Sequence, residues 1–315
     1  MSKKLISIVT PCYNEEGNVV ELYERLKQVL ASLTEYDYEH IFIDNASTDS
    51  TQSILRSLAA SDHRVKVIFN MRNFGQTRSP YHAVLEARGD AVICMVSDLQ
   101  DPPELISKFV EQWEAGFKVV VGQKTESAES RLFYLLRTAY YRLVRSLADV
   151  ELIEHVTGFG LYDREVIERL RGLDDPYPYV RGLISEFGYP VARIPYRQLN
   201  RKSGVTKNNF YTLYDLAMLG FTSHSKVPLR LAAMLGFLTA TLSLVAGLVY
   251  LVYKLLFWNQ LAVGVAPLVI GLFFFSSVQL IFLGIVGEYV GAIYTQVLHR
   301  PLVVERERIN FEPAE

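Results

Sequence analysis

Between Leu231 and Tyr253 the chain carries no charged residue, and after the single Lys254 a second uncharged run extends from Leu255 to Gly287. A bilayer crossing takes about 20 apolar residues, so each run is long enough for one span. A buried helical hairpin in a soluble protein would keep a polar stripe, whereas LAAMLGFLTATLSLVAGLVYLVY is apolar all round. Charge sets the expected orientation. Lys226 and Arg230 precede the first run, His299, Arg300, Arg306 and Arg308 follow the second, and only Lys254 stands between. Lys and Arg accumulate on cytoplasmic flanks, so both ends are expected in the cytoplasm. The preceding segment FYTLYDLAMLGF, with Asp215 its only charge, reads as a helix lying in the membrane interface.

Before these runs, short β-rich stretches alternate with helical patterns. LISIVT is followed by a helix with Val19, Leu22, Leu26, Val29 and Leu33 on one face, then by HIFID, VKVIFN, AVICMV and KVVVG. Strands separated by helices predict βαβ units, a mostly parallel sheet and ligand groups at the strands' C-terminal edge. KTESAES, Lys124 to Ser130, reads as a short loop, followed by an amphipathic helix with Leu132, Leu136, Tyr140, Leu143 and Leu147 inward. The expected organisation is an α/β domain over residues 1–208, an interfacial segment over 209–228, a two-helix transmembrane hairpin over 229–290 and a cytosolic C-terminal tail over 291–315.

Composition removes several function classes. A net charge of -2 and a pI near 6.3 leave no basic excess for neutralising nucleic-acid phosphates. The N-terminus MSKKLISIVTPCYNEE has too short an apolar run for a secretory signal. Cys12 and Cys94 lack zinc or redox spacing and are expected as reduced core thiols. No histidine pair has HExxH spacing, and neither a GxSxG elbow nor a GxxxxGK[ST] loop occurs. His155, beside TGFGLYD, reads as a structural histidine.

Three polar clusters remain. TPCYNEE (Thr10 to Glu16) and IDNASTDST (Ile43 to Thr51) each follow a strand. Asp44 is placed to accept hydrogen bonds from a nucleotide base or ribose, and Asp49 to cap the following helix. SDLQDPPE (Ser97 to Glu104) follows AVICMV; if that strand continues to Gln100, Asp98 and Gln100 share a face and offer hard oxygen ligands to Mg²⁺ or Mn²⁺. Asp101 before Pro102 and Pro103 reads as a helix cap. From Arg193 to Arg230 seven Lys or Arg face one acid; Arg201 and Lys207, on the loop RKSGVTK, are expected to close over phosphates, and Lys226 and Arg230 to meet lipid.

PCYNEE, IDNASTDST, SDLQDPPE, TGFGLYD and the late GEYVGAIY…RPL together resemble family 2 glycosyltransferases of the polyprenyl-phosphate type, from Ile6 to about Leu302. That resemblance implies a GT-A (Rossmann-like) nucleotide-sugar-binding fold in the bacterial cytoplasmic membrane with its catalytic domain cytosolic. It implies an inverting transfer from a nucleoside diphosphate sugar, expected to be UDP-linked, to polyprenyl phosphate. It would set Asp44 on the nucleotide, with Pro11, Tyr13 and Glu15 lining its pocket. Asp98 and Gln100 would hold the metal and diphosphate, and Arg201 and Lys207 the phosphates, leaving Asp98, Arg201 and Lys207 as the catalytic set. A homo-oligomer through the membrane region is compatible with it. Two departures stand out: Val96 occupies the place of the family's first carboxylate in DADLQ, and Gly158 that of an aspartate in GDFRLMD. An alternative reading is therefore a catalytically silent membrane scaffold that binds a nucleotide.

Overall fold

The computed structural model describes residues 3–126, 156–173, 175–178, 180–199, 218, 227–257 and 265–312. Eight strands form one sheet: β1 (Lys4–Cys12), β2 (Tyr36–Asp44), β3 (Val65–Asn70), β4 (Ala91–Cys94), β5 (Val119–Glu126), β6 (Val156–Asp163), β7 (Val191–Arg197) and β8 (Glu305–Ile309), in the order β7-β5-β6-β4-β1-β2-β3-β8. β6 runs against β4 and β5, and β8 against β3; the other pairings are parallel. The mostly parallel sheet expected from the alternation of patterns is present.

Side chains alternate across β1, so Ile6 and Ile8 enter one core and Val9 the other. Leu22, Leu26 and Leu30 of α1 (Val19–Ser32), with Phe109 and Trp113 of α4 (Ile106–Glu114), cover the first face. Each fully buried leucine contributes about 2 kcal/mol by removal from water. α3 (Gly75–Glu86) and α5 (Arg164–Arg171) cover the other face through Tyr81, Ala83, Val84, Val166, Ile167 and Leu170. α2 (Thr51–Ser61) packs Leu55 and Ala59 against Phe42, Val67 and Phe69. α6 (Val180–Glu186) precedes β7.

Cys12 is buried and Cys94 half-buried, both as free thiols. Burial pushes the Cys12 thiol well up, with Asp44 adding to it, and pushes the Cys94 thiol up to about 12. Both are protonated and inert at neutral pH.

Two long helices follow, α7 (Val227–Leu256) and α8 (Val265–Val297). Leu229–Tyr250 and Gly271–Val297 are long and apolar enough to cross a membrane, and almost nothing in either is buried by the protein. A core helix of a soluble domain would be covered. α8 continues past the boundary expected at residue 290. The residues after it are no free tail: β8 pairs with β3 from Val67↔Ile309 to Asn70↔Glu305. Arg56 holds Glu307 through two bonds of 2.6 and 2.7 Å, and Asn310 donates to the Ala59 and Val65 carbonyls. The apolar hairpin thus leaves the sheet after β7 and returns to it as β8.

Two strand ends differ from expectation. β5 continues to Glu126 by pairing with β7, absorbing the first residues of the expected KTESAES loop. β4 stops at Cys94, short of Gln100. The expected helix ending near Leu147 and the interfacial segment from Phe210 lie outside the described residues, Met218 apart.

Candidate active site

The C-terminal ends of β1, β2 and β4 meet on one edge, and their loops are laced together. Asn14, at φ 54°, donates its N–H to Ser47 Oγ (2.9 Å) and accepts from the Thr48 N–H (2.8 Å). The Glu15 N–H bonds Thr51 Oγ1 at 2.8 Å, and Glu16 Oε2 accepts the Ser50 N–H at 2.9 Å. Asp49 Oδ1 accepts the Thr51 N–H at 3.0 Å, so it serves the start of α2 from one residue before the cap position. The two polar clusters therefore hold each other's backbone.

Asp44 ends β2 with no exposed surface. Its Oδ2 accepts the Ser47 N–H at 3.1 Å, and its Oδ1 is buried without a partner. Burial holds its carboxyl above the ordinary range, partly offset by the Ser47 bonds. An unpaired buried carboxylate oxygen costs about 1–3 kcal/mol, so a position like this favours a ligand that brings a donor. Pro11 accepts from Ser97 Oγ at 3.1 Å, joining the ends of β1 and β4. Glu15 Oε2 accepts from Asn18 Nδ2 at 2.6 Å, which orients it toward the start of α1. Tyr13 is half-buried on the same loop.

Asn45 was not singled out in the sequence, yet it is the hub of this edge. Its Nδ2 donates to Asn73 Oδ1 and to the Gly75 carbonyl at 2.9 and 3.1 Å, while its Oδ1 accepts from Phe74 N–H and Asn70 Nδ2. Only its place after an apolar strand signalled this.

The Asp98 turn is built differently from the continued strand expected. Leu99 sits at φ 57° with its side chain buried, so the chain reverses and Asp98 Oδ1 accepts the Gln100 N–H at 3.2 Å. Asp98 and Gln100 are brought together by the turn rather than by strand alternation. Gln100 Nε2 donates to the Leu199 carbonyl at 3.4 Å, and Leu199 N–H to the Gln100 carbonyl at 2.9 Å. Gln100 Oε1 and the Asp98 carboxylate are hard oxygen donors of the kind Mg²⁺ and Mn²⁺ take, together with substrate phosphates and water. The donor set fits such an ion. Val96 beside it is 40% exposed and offers no oxygen.

Asp101 does not cap the helical turn Pro103–Leu105, whose cap position is Pro102. It is buried and accepts the Tyr196 hydroxyl of β7. Burial raises its carboxyl, and the Tyr196 bond and Lys124 pull it back. A partner so distant in sequence leaves no local signal. Arg201, Lys207 and His155 lie outside the described residues.

His82, Glu86 and Glu305 also cluster, with ligand atoms within 4.8 Å of one another, on α3 and β8. Arg308 occupies that cluster, bonding Glu86 at 2.7 Å and both Glu305 oxygens. It is an ion-pair network fastening the last strand.

Residues 7–171 match the model of glycosyl transferase family 2. The chain is 35% identical to the uncharacterized glycosyltransferase YkcC of Bacillus subtilis, over 97% of this chain and 94% of that protein. It is 33% identical to the bactoprenol glucosyl transferase of Shigella phage SfV, over 96% and 99%. Among solved structures, glucosyl-3-phosphoglycerate synthase from Mycobacterium tuberculosis, crystallised with Mn²⁺, UDP and phosphoglyceric acid, aligns with a TM-score of 0.51 at 18% identity, covering 70% of this chain and 76% of that one. That likeness is one of fold. Sheet order, clustered strand ends and full-length relatives agree: the chain belongs to glycosyl transferase family 2 and carries its GT-A fold.

Proposed function

We propose that the protein transfers a hexose unit, with inversion, from a UDP-linked sugar to polyprenyl phosphate at the cytosolic face of a bacterial cytoplasmic membrane. The observation that carries this reading is the apolar hairpin that leaves the catalytic sheet after β7 and rejoins it at β8. In this reading it holds the domain against a bilayer, where a lipid acceptor lies. The relatives named bactoprenol glucosyl transferases match over nearly their whole length, hairpin included.

In this reading Asp44 Oδ1 receives a donor from the nucleotide, and the Pro11–Glu15 loop forms the floor beneath it. Asp98 and Gln100 would hold Mg²⁺ or Mn²⁺, which supplies neutralising charge for the departing diphosphate. Leu199, bonded to the Gln100 turn, stands two residues before Arg201 in the sequence, and this reading assigns Arg201 and Lys207 to the diphosphate. Their guanidinium and ammonium groups stabilise the leaving charge. The acceptor needs no protein base: the second pKa of a phosphate monoester is about 6, so it arrives ionised. Its oxygen attacks the anomeric carbon as the bond to the diphosphate breaks, with rate gained from alignment. Gly158, where relatives resembling this chain carry aspartate, is then no deficit.

The test is formation of chloroform-extractable sugar by the purified full chain, given undecaprenyl phosphate, Mg²⁺ or Mn²⁺ and a panel of nucleotide sugars. Transfer from UDP-hexose, reduced about a hundredfold or more by Asp98→Ala, is the expected result. No glycolipid from any donor would overturn it and favour the silent scaffold.

A further inference from the structure

The six cationic and histidine flanks of the hairpin do not share one fate. Arg306 bonds Gln52 Oε1 at 2.6 Å and Arg308 bonds Glu86 and Glu305, so β8 uses both inside the domain. Arg300, three residues beyond α8, is exposed and makes no ion pair among the described residues, and it lies near two more cations, Arg72 and Arg78, that make none there either. Arg72 and Arg78 flank the Phe74 ring, their guanidinium carbons 4.1 and 5.6 Å from its centroid. Arg78 Nη2 donates to the carbonyl of Pro301, directly after Arg300. Its Nε is buried and has no partner. Burial lowers the Arg78 guanidinium's proton affinity, Arg72 and Arg300 lower it further, and among the described residues Tyr177 opposes them. The nearby carboxylates are engaged elsewhere: Asp175 accepts from Gln296 of α8 and from the Tyr177 N–H, and Glu86 and Glu305 hold Arg308.

Three like charges gathered with a buried donor left over form an arrangement that an anion completes. We propose that Arg72, Arg78 and Arg300 are a docking site for the terminal phosphate monoester of an isoprenoid lipid whose chain lies along α8. This deepens the acceptor assignment above and rests on it. Guanidinium forks match phosphate oxygens, and a dianionic monoester satisfies three cations better than a monoanionic diester headgroup. The location supplies the lipid: α8 is little covered and uncharged up to Gly287, Glu288 is its one charge, and the cluster begins at Arg300, three residues past its end. In sheet order, β2 and β1 separate the β3 end, from which Arg72 follows, from β4 and its Asp98 turn. At a strand spacing of about 4.8 Å that is a separation of roughly 14 Å. The cluster therefore captures the acceptor at the membrane boundary before it moves to the transfer position.

The experiment uses the full chain in phosphatidylcholine nanodiscs and measures binding by thermal stabilisation and native mass spectrometry. The probes are undecaprenyl phosphate, phosphatidylglycerol and inorganic phosphate. The expected result is selective binding of undecaprenyl phosphate, weakened about tenfold by Arg300→Gln and by Arg78→Gln, with UDP affinity in Mn²⁺ retained as the sign of an intact fold. Wild-type affinity for undecaprenyl phosphate in both variants would overturn the site. Equal binding of phosphatidylglycerol would reduce it to bulk lipid adhesion, and equal binding of inorganic phosphate would remove the lipid; either result also overturns the proposal. If the protein binds undecaprenyl phosphate at this cluster but forms no glycolipid with any donor, the transfer reading fails and the docking site stands.

Discussion

Asp44 shows how a side chain proposed to bind a nucleotide can cost the empty protein stability. Its folded carboxyl is raised by burial, so the folded protein holds that proton more tightly than the unfolded chain does. Stability therefore falls as pH rises through the raised value, because the ionised, half-satisfied carboxylate is a cost to the empty protein. Asp44→Asn is expected to weaken UDP binding about tenfold or more without lowering the ligand-free melting temperature at pH 7; calorimetric titration and a thermal melt check the two halves. A melting temperature that falls with intact UDP affinity would mean that Asp44 serves the fold alone. Gly158 carries the opposite constraint. Its φ is 92° with open space where a Cβ would stand, so strain rather than crowding excludes other residues. Gly158→Asp, which restores the residue of the resembling family motif, should lower the melting temperature by about 2–8 °C, from about 1–2 kcal/mol of backbone strain, and raise no transfer rate. At this scale the sequence located Asp44 at the end of an apolar strand and Asp98 in the loop after one. It was illegible where the backbone takes a rare conformation, as at Leu99, or where the partner is distant, as with Asp101 and Tyr196.

Among elements, β8 is the one that sequence patterning conceals. ERERI alternates charges and reads as solvated chain, but edge strands commonly carry such charges, which protect them from pairing with other molecules. What selects its place is a set of non-local pairs: Arg56 with Glu307, His82 with Glu305 at 2.5 Å, and Arg308 with Glu86. β1 through β4, by contrast, announce themselves as runs of buried aliphatics. The Glu305 carboxyl is pushed up by partial burial, but its bonds from His82 and Arg308 prevail and hold it down at about 2. A depressed acid contributes stability above its unfolded value and loses it as pH falls through the folded one. The docking of β8 should therefore weaken between about pH 4.5 and 2. Hydrogen exchange at the amides of 305–309 is the measurement. Faster relative opening across that window is expected in the wild type, and a flat profile in Glu305→Gln; equal acid sensitivity in both proteins would assign the effect to another group.

For the whole molecule, the return of the chain to its own sheet constrains topology more firmly than flanking charge does. Arg306 and Arg308, counted in the charge argument as membrane flanks, are spent within the domain, whereas β8 carries its own geometric requirement. A strand paired with β3 must lie on the side of the bilayer where β3 folds. If the chain crosses a bilayer as proposed, the number of crossings between β7 and β8 is even, which the two apolar helices match. The proposed membrane reading then expects Asn259, between the two helices in sequence, to be reachable from the far side. Cysteine labelling reads this cleanly, because the buried Cys12 and half-buried Cys94 thiols are both held protonated and unreactive. A membrane-impermeant maleimide should label Asn259→Cys in intact spheroplasts. It should reach Glu312→Cys, exposed just after β8, only once the membrane is opened. Labelling of Glu312→Cys but not Asn259→Cys from outside would place the catalytic sheet on the far face, where no nucleotide sugar is made, and would remove the cytosolic transfer proposed above; labelling of both would remove the crossings.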